Sequence, residues 1–365
     1  MAVNSSSELS VILEQYDLGD LVEFERDARG TVNTSYTIVM EKTGQRKKYF
    51  LRRYKSWIKI EELQFEHSLI NHLIANRFNL VAGVIPTRAD TTYLHRFEEG
   101  GDPNGVYYAI FDFLTGEDSY TWIAPRCSPT EIASSAEVLA GFHLRTAGFT
   151  PHGSRLEPRI TELLPVIEAN ILDCARVARG NVFEDYLHQN LDLIRVHLKL
   201  TCDALERLRT AGLTELVVHC DFHPGNLKYA AGRAVSLFDF DWSKIDYRCY
   251  DVALGLFYFF VCWEPELDGE LRQNDARLFL EAYQSALAGK AGLGPLSELE
   301  LNALPAMLRA ANLYVLNWTV LDYIRKPVDP LEYLVCLKHG VNTLRWLDEE
   351  SNQASLTGLF SSLRT

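Results

Sequence analysis

Basic charge is in short supply in this sequence: 36 lysines and arginines stand against 49 aspartates and glutamates, a formal net charge of −13. The deficit is spread along the chain rather than gathered in a tail, and it opposes binding to nucleic acid or to an anionic membrane surface. Nor do the cysteines supply a framework. The seven of them, at 127, 174, 202, 220, 249, 262 and 336, are odd in number, form no CxxC pair and show no zinc-ligand spacing. Neither a disulfide scaffold nor a metal knuckle is therefore expected, and a reducing compartment, the cytoplasm, is the natural setting. The opening MAVNSSSELS lacks the basic region and apolar core of a secretory signal. The longest strictly apolar run, Val252 to Trp263, has twelve residues, too short to span a bilayer and typical of a buried core helix. Internal repeats and low-complexity tracts are missing as well. What is left is a globular composition of 365 residues, 47% hydrophobic, enough for two domains or one large two-lobed body, with small or cationic molecules as the expected partners.

Organisation follows from the patterning. YTIVM (36–40) and YFLRRY (49–54) are β-rich runs around the turn-like EKTGQ, which reads as a hairpin. The segment from Trp57 to Phe78 has no glycine or proline and reads as a helix. A second hairpin is expected where YLHRFEE and VYYAIFDFL flank GGDPNG. After Leu114 the character becomes helical. Ser128-Pro129-Thr130-Glu131 is a capping box with proline at the first helical position, and Ser297 with Glu300 repeats the signature. The exception is 215–245, where ELVVH and AVSLFDF read as short strands around a polar loop. The expected fold is α+β in two parts: a small antiparallel sheet with one helix over 1–114, and a larger, mainly helical part over 115–365.

The polar loop is HCDFHPGN, 219–226. Phosphoryl transfer from ATP needs a carboxylate to orient and deprotonate a hydroxyl, and oxygen ligands to hold magnesium against the phosphates. Asp221 and Asn226 are five apart, the D-x-x-x-x-N spacing of a kinase catalytic loop. Thirteen residues beyond Asn226, SLFDF delivers Asp239 at the end of a β-rich run, and a short hairpin brings its carboxylate back beside Asn226. That donor set suits Mg²⁺, which takes few protein ligands and keeps several waters. Two plainer readings of the loop compete: a polar turn, or a metal trio of His219, Asp221 and His223. Neither explains an Asp, an Asn and a later strand-end Asp at kinase spacing, so the kinase reading is preferred. His223 could also serve only the backbone beside Pro224. Asp241 could share in metal binding or cap the following turn.

HCDFHPGN followed by LFDFDW and YDVA resembles the aminoglycoside phosphotransferase and choline kinase superfamily, relatives of protein kinases with an H-x-D-x-H-x-x-N loop. YDLGDL, GTVNTSY and YFLRRY make the chain most similar to the type II homoserine kinases, over roughly residues 11–348. The resemblance implies a protein-kinase-like, bilobal fold and an ATP-dependent transfer of the γ-phosphoryl group to the hydroxyl of a small molecule, homoserine first. Aminoglycosides, other antibiotics and amino alcohols are the alternative acceptors, and a nucleotide-binding pseudokinase is the reading outside enzymes. It implies Asp221 as catalytic base, Asn226 and Asp239 as magnesium ligands, His219 as a brace near Asp239, and Asp251 of YDVA as an anchor for the loop backbone. In the smaller part, Gly30 and Asn33 of GTVNTSY would cover the phosphates. Glu66 would pair with a basic residue of YFLRRY, and Asp112, Phe113 and Leu114 would contact adenine through their backbone.

One departure from the family pattern concerns that basic residue: Arg52 stands where a lysine is usual. Arginine carries the same charge in a wider planar fork, so it grips phosphate oxygens from a different position. Lys48, on the same strand face, is the other candidate. Taken alone, GTVNTSY has a single glycine and reads as an ordinary turn, and a helical Glu66 reads as a solvated charge. His143, which continues the Ile132, Ala136, Leu139 spacing, reads as a core histidine, and Phe257 to Phe260 as core. Arg309, Asp322 and Arg325 are candidates for contacting the acceptor, without a ranking among them.

Overall fold

The computed structural model describes residues 6–27, 32–97, 104–209 and 211–364. The chain divides into two compact units, Met1–Thr115 with Thr150–Arg155, and Gly116–Phe149 with Leu156–Thr365.

In the first unit the chain runs α1 (Ser6–Leu13), β1 (Asp20–Asp27), β2 (Thr34–Lys42), β3 (Gln45–Arg53), α2 (Ile60–Ala75), β4 (Val84–Ile85), β5 (Leu94–Arg96) and β6 (Val106–Asp112). The strands make one antiparallel sheet in the order β1-β2-β3-β6-β4, with β5 also paired to β6. The β2–β3 hairpin closes on Thr43-Gly44, with Lys42 opposite Gln45 and φ of 53° and 77° at the two loop residues. Positive φ at both positions lets a two-residue turn follow the right-handed twist of the strands. Period-two alternation sends Tyr36, Ile38, Met40, Tyr49 and Leu51 to one face of the sheet, where they join Val106, Tyr108 and Ile110. Leu9, Ile12 and Leu13 of α1, with Tyr16 and Leu18, cover that face. The sequence reading gave this part a single helix. Helix α1 is only eight residues long, and it is held by this burial rather than by its own propensity. Phe50, Arg52, Ala109 and Phe111 alternate to the other face, and Arg52 lies opposite Ala109 across β3–β6.

The second unit is mainly helical: α3 (Pro129–Thr146), α4 (Ile160–Ala175), α5 (Val182–Arg209), α6 (Arg248–Phe260), α7 (Gln273–Leu287), α8 (Glu298–Arg325), α9 (Pro330–Asp348) and α10 (Glu350–Ser361). Four short strands interrupt the helices: β7 (Glu215–Val218), β8 (Leu227–Ala230), β9 (Arg233–Leu237) and β10 (Lys244–Tyr247). Here β7 pairs with β10, and β8 with β9. ELVVH and AVSLFDF are strands, but they are not each other's partners; Leu227–Ala230, which the sequence reading left as loop, is the strand beside AVSLF. Both capping boxes form: the Ser128 and Ser297 side chains accept from the N3 amides of α3 and α8. Every residue of α6 is buried, as befits a helix that is apolar on all sides and central to its unit. Its first residue, Arg248, pairs with Glu300 of α8 in the interior and donates to the Gly294 carbonyl at 2.7 Å. Among the described residues no helix is long and apolar enough to cross a membrane. The α+β class is thus borne out, with an antiparallel sheet in one unit and helices dominating the other.

Helix α9 meets α8 at Gly340, where an added Cβ would lie 2.4 to 3.0 Å from the side-chain carbons of Leu316. Gly340→Ala should therefore lower unfolding stability by about 1–3 kcal/mol through overpacking. A denaturation midpoint unchanged from wild type would contradict that packing.

Candidate active site

The loop after β7 is organised by one buried carboxylate. Asp251, in the first turn of α6, accepts the His219 amide on Oδ2 at 2.8 Å and the Cys220 amide on Oδ1 at 2.8 Å. Between them the chain turns through Cys220 at φ 67°, a left-handed conformation that costs a non-glycine residue energy and persists where its surroundings fix it. Asp251 is itself held by His143 of α3, whose Nε2 lies 2.9 Å from Oδ2, while His143 Nδ1 is 2.7 Å from the Tyr283 hydroxyl. Burial lowers the His143 pKa against the pull of Asp251 and keeps the ring neutral. Nε2–H then donates to Asp251, and Nδ1 accepts from Tyr283. Burial pushes the Asp251 carboxyl up, but its bonds with His143 and the loop amides outweigh that and hold it below the ordinary value.

His219 is buried and, mainly by that burial, neutral at ordinary pH. Its Nδ1 accepts from the Asp221 amide at 3.3 Å and its Nε2 donates to the Phe238 carbonyl at 3.1 Å. Both ring nitrogens are engaged, and the Nδ1 of His223 accepts from the Gly225 amide at 3.0 Å. This excludes the metal trio of His219, Asp221 and His223. The remaining nitrogen of His223, Nε2, faces Asp221 Oδ2 at 3.7 Å. His223 thus serves both the backbone beside Pro224 and the carboxylate.

Asn226 ends a one-turn 3-10 helix, Pro224–Asn226, and leads into β8. Its amide nitrogen donates to the Asp221 carbonyl at 2.9 Å and to Asp221 Oδ2 at 3.0 Å. That orients the amide and leaves Oδ1 with no bond from the described residues. Leu227 lies opposite Leu237 across β8–β9, and the Phe238 amide donates to the Asn226 carbonyl at 3.1 Å. Asp239, the next residue, therefore sits beside Asn226 at the same end of the hairpin. Its φ is 66°, and its side chain caps nothing in the one-turn helix Phe240–Trp242 that follows. Asp241 is buried inside that turn, whereas Asp239 is partly exposed. Burial pushes the Asp221 carboxyl up, but His223, His219 and the Asn226 hydrogen bond outweigh it and keep it below its ordinary value. Its side chain is 22% exposed. The result is an ionised, partly open carboxylate next to two hard oxygen donors, and these donors fit a magnesium ion. Among the described residues no group of three or more His, Cys, Asp or Glu residues offers a competing metal site.

In the first unit Arg52 reaches Glu66 of α2, Nη1 to Oε1 at 3.2 Å, with the two side chains 11% and 5% exposed. The Tyr54 hydroxyl donates to the other Glu66 oxygen at 3.0 Å. Glu66 is thus a buried partner and not a solvated charge, and Arg52 rather than Lys48 stands opposite it. Lys48 is exposed, its ammonium 5.6 Å from the Phe113 ring. Gly30 lies outside the described residues. Asn33 Oδ1 accepts the Lys55 amide at 2.9 Å, which ties Asn33 to the segment just after β3. The Asp112 amide donates to the Gly83 carbonyl at 2.8 Å and its carboxylate binds Lys47 at 2.9 Å. Phe113 is 38% exposed and Leu114 partly buried.

Tyr258, His143 and Tyr283 are functional neighbours that the sequence reading missed or set aside as core. Asp251, Gly255 and Tyr258 follow helical spacing on α6, and that face meets the loop. Phe222 lies 3.5 Å from where a Gly255 Cβ would be, and the Tyr258 ring is 5.4 Å from His223. The signal was therefore present as a periodicity starting from Asp251. Of the acceptor candidates, Asp322 binds Lys326 and Tyr333, and Arg325 is exposed at the end of α8.

The phosphotransferase enzyme family model matches residues 23–289. A homoserine kinase of Afipia carboxidovorans is 29% identical over 349 residues, covering 93% of this chain and 94% of that protein. Among solved structures, a microcompartment-associated aminopropanol kinase superposes with a TM-score of 0.69 at 15% identity, covering 97% of this chain and 99% of that one. An aminoglycoside phosphotransferase from Alicyclobacillus acidocaldarius gives a TM-score of 0.63 at 18% identity over 97% and 96%. The architecture is accordingly protein-kinase-like.

Replacing Asp251 tests the loop's foundation. Asp251→Asn places an amide donor against a backbone N–H and should destabilise the protein by about 2–3 kcal/mol at neutral pH. Because the folded carboxyl sits below its ordinary value, its stabilisation is present above about pH 4 and is lost as pH falls through that lower value. Urea unfolding from about pH 3 to 7 should show a shallower acid limb in the variant than in wild type. Identical pH profiles would contradict this account.

Proposed function

We propose, from the premise that this chain belongs to the phosphotransferase enzyme family, that Asp221 orients and deprotonates an acceptor hydroxyl while Asn226 and Asp239 hold the magnesium of Mg-ATP. The enzyme is an ATP-dependent kinase acting on the hydroxyl group of a small molecule. Homoserine is the first acceptor to consider, supported by likeness to a homoserine kinase along nearly the whole length of both chains.

The observation that carries the assignment is the pair of hydrogen bonds from Asn226 Nδ2 to the Asp221 carbonyl and carboxylate, which holds the Asp221 carboxylate in place and turns Asn226 Oδ1 away from it. Asp221 is ionised at neutral pH and partly open, as a base must be. His219 and Asp251 touch neither substrate; they position the loop. Arg52, anchored by Glu66, offers a fixed positive fork to phosphate oxygens. Asn226 and Asp239 would hold a magnesium ion there, and it would supply positive charge against the phosphates. Most of the acceleration comes from holding hydroxyl and γ-phosphate in line, which can supply roughly 7–11 kcal/mol, with the base adding a factor of about 10² to 10⁴.

A coupled assay with Mg-ATP against homoserine, choline and kanamycin separates the acceptor classes. Asp221→Asn is expected to reduce kcat by about 10²- to 10⁴-fold while nucleotide affinity survives, since the interaction belongs to the transition state. Equal losses in rate and ATP affinity would give Asp221 a different role. Asp239→Ala should abolish the magnesium-dependent part of nucleotide binding in calorimetry run with and without the metal; an unchanged metal dependence would remove it from the ligand set.

A further inference from the structure

Arg309, the third charged residue considered for acceptor contact, faces another part of the unit. On α8, Tyr314 packs edge-on to Tyr250 of α6 at 6.2 Å, and Trp318 meets Trp242 at 4.6 Å. At 3.6 residues per turn, Arg309 lies roughly 140° and 180° around the helix from these two rings. There it lines a cavity of 140 Å³ together with Pro305 of the same helix, Leu347 of α9, and Gln353, Leu356 and Thr357 of α10. Gln353 and Thr357 are exposed, so the cavity opens to solvent on the α10 side of α8.

The guanidinium in that cavity is not neutralised by a neighbour. Its Nε is buried and meets no acceptor among the described residues. Elsewhere in the unit, by contrast, Arg248 pairs with Glu300 and Arg272 with Asp275. Asp348, the last residue of α9, is the carboxylate whose charge reaches Arg309, yet it stands against His197 Nε2 at 3.1 Å and makes no ion pair with the arginine. The donors of the other polar lining residues are spent on backbone: Thr357 Oγ1 donates to the Gln353 carbonyl at 2.8 Å, and Gln353 Nε2 to the Leu347 and Asp348 carbonyls at 3.0 and 3.3 Å. Arg309 is therefore the donor that the cavity offers. A desolvated cation without an acceptor is costly, and its planar fork matches an oxyanion.

Size, charge and lining narrow the ligand. A cavity of about 150 Å³ holds benzene, so a molecule of about six non-hydrogen atoms suits this one. One guanidinium balances one negative charge, and a second would meet repulsion from Asp348 in a chain of net charge −13. Pro305, Leu347 and Leu356 supply apolar wall. We propose that this cavity is a binding site, separate from the transfer centre, for a small organic monocarboxylate. The Arg309 fork takes its carboxylate, and the apolar wall takes its short carbon chain.

The test is a saturation-transfer NMR titration of the full chain with butyrate and with its neutral counterpart butyramide at equal ionic strength, adding inorganic phosphate as a competitor. Wild type should bind butyrate in preference to butyramide, and phosphate at the same concentration should displace little of it. Arg309→Met should weaken butyrate binding roughly ten- to hundredfold. Thr357→Trp, which fills the cavity from an exposed helical position and keeps the arginine, should abolish it. Because Arg309→Met removes a charge without a partner, its thermal unfolding midpoint should equal or exceed that of wild type. Absence of butyrate binding, equal binding of butyramide, or binding retained in either variant overturns the proposal. Ready displacement by phosphate overturns the carboxylate class, and a lowered midpoint in Arg309→Met makes the arginine a structural residue and overturns the site.

Discussion

The Asp251 carboxylate is the constraint on which the loop over 219–226 depends. Two consecutive backbone amides, at His219 and Cys220, converge on its two oxygens, a geometry an extended strand does not offer and a left-handed residue does. The turn at Cys220 carries strain, and the charge-assisted bonds that stabilise it are buried, where they are strong. Neutral His143, itself bonded to Tyr283, keeps Asp251 ionised and aimed. Order passes along the chain from there. His219 ties the loop to Phe238, Phe238 binds Asn226, and the β8–β9 ladder aligns Asn226 with Asp239. Asp251, His219 and Phe238 thereby fix the backbone that carries Asp221, Asn226 and Asp239.

Protonation states follow from the same burial. His143 and His219 are neutral because an imidazolium in the interior would lose its hydration, so each ring offers one donor and one acceptor and uses both. Asp221 and Asp251 remain ionised although burial opposes it, since hydrogen-bond donors surround them. Fixed carboxylates and the uncharged rings of His143 and His219 thus lie together in and beneath the loop. In the sheet unit, the Arg52–Glu66 pair is buried against the face of the sheet that α2 meets. The planar fork bonds Glu66 from one side, and the rings of Phe50, Tyr54 and Phe111 lie within 5.9 Å of its central carbon. Cation–π contact of this kind favours a delocalised guanidinium.

Much of this architecture is written locally. The D-x-x-x-x-N spacing, the two capping boxes, the Lys42–Gln45 turn and the alternation along β2 and β3 are short-range patterns, and short-range physics decides them. Those features made the α+β class legible and singled out Asp221, Asn226 and Asp239 as candidates, and these the fold brings to one end of the β8–β9 hairpin. Strand pairing was not legible in the same way. ELVV and AVSLF are both good strands, but β7 pairs with β10 and β9 with β8, because partner choice depends on which apolar faces meet α3 and α6. Helix α1 was missed for the same reason: eight residues have too little propensity to form a helix without the sheet they cover.

The sequence by itself determined the chemistry available: which residues can take a proton, hold a hard cation or grip a phosphate, and their spacing along the chain. Only the tertiary structure decided which partner each of them meets. Asn33 and the Asp112 amide are tied to Lys55 and Gly83, Arg52 rather than Lys48 meets Glu66, and Glu157, an unremarked glutamate in the sequence, stands against Lys244 and Tyr314. The physical reason is that hydrogen-bonding capacity belongs to a residue type, whereas its partner depends on the approach of segments far apart in the chain, and in a close-packed interior that approach is fixed by the fold as a whole.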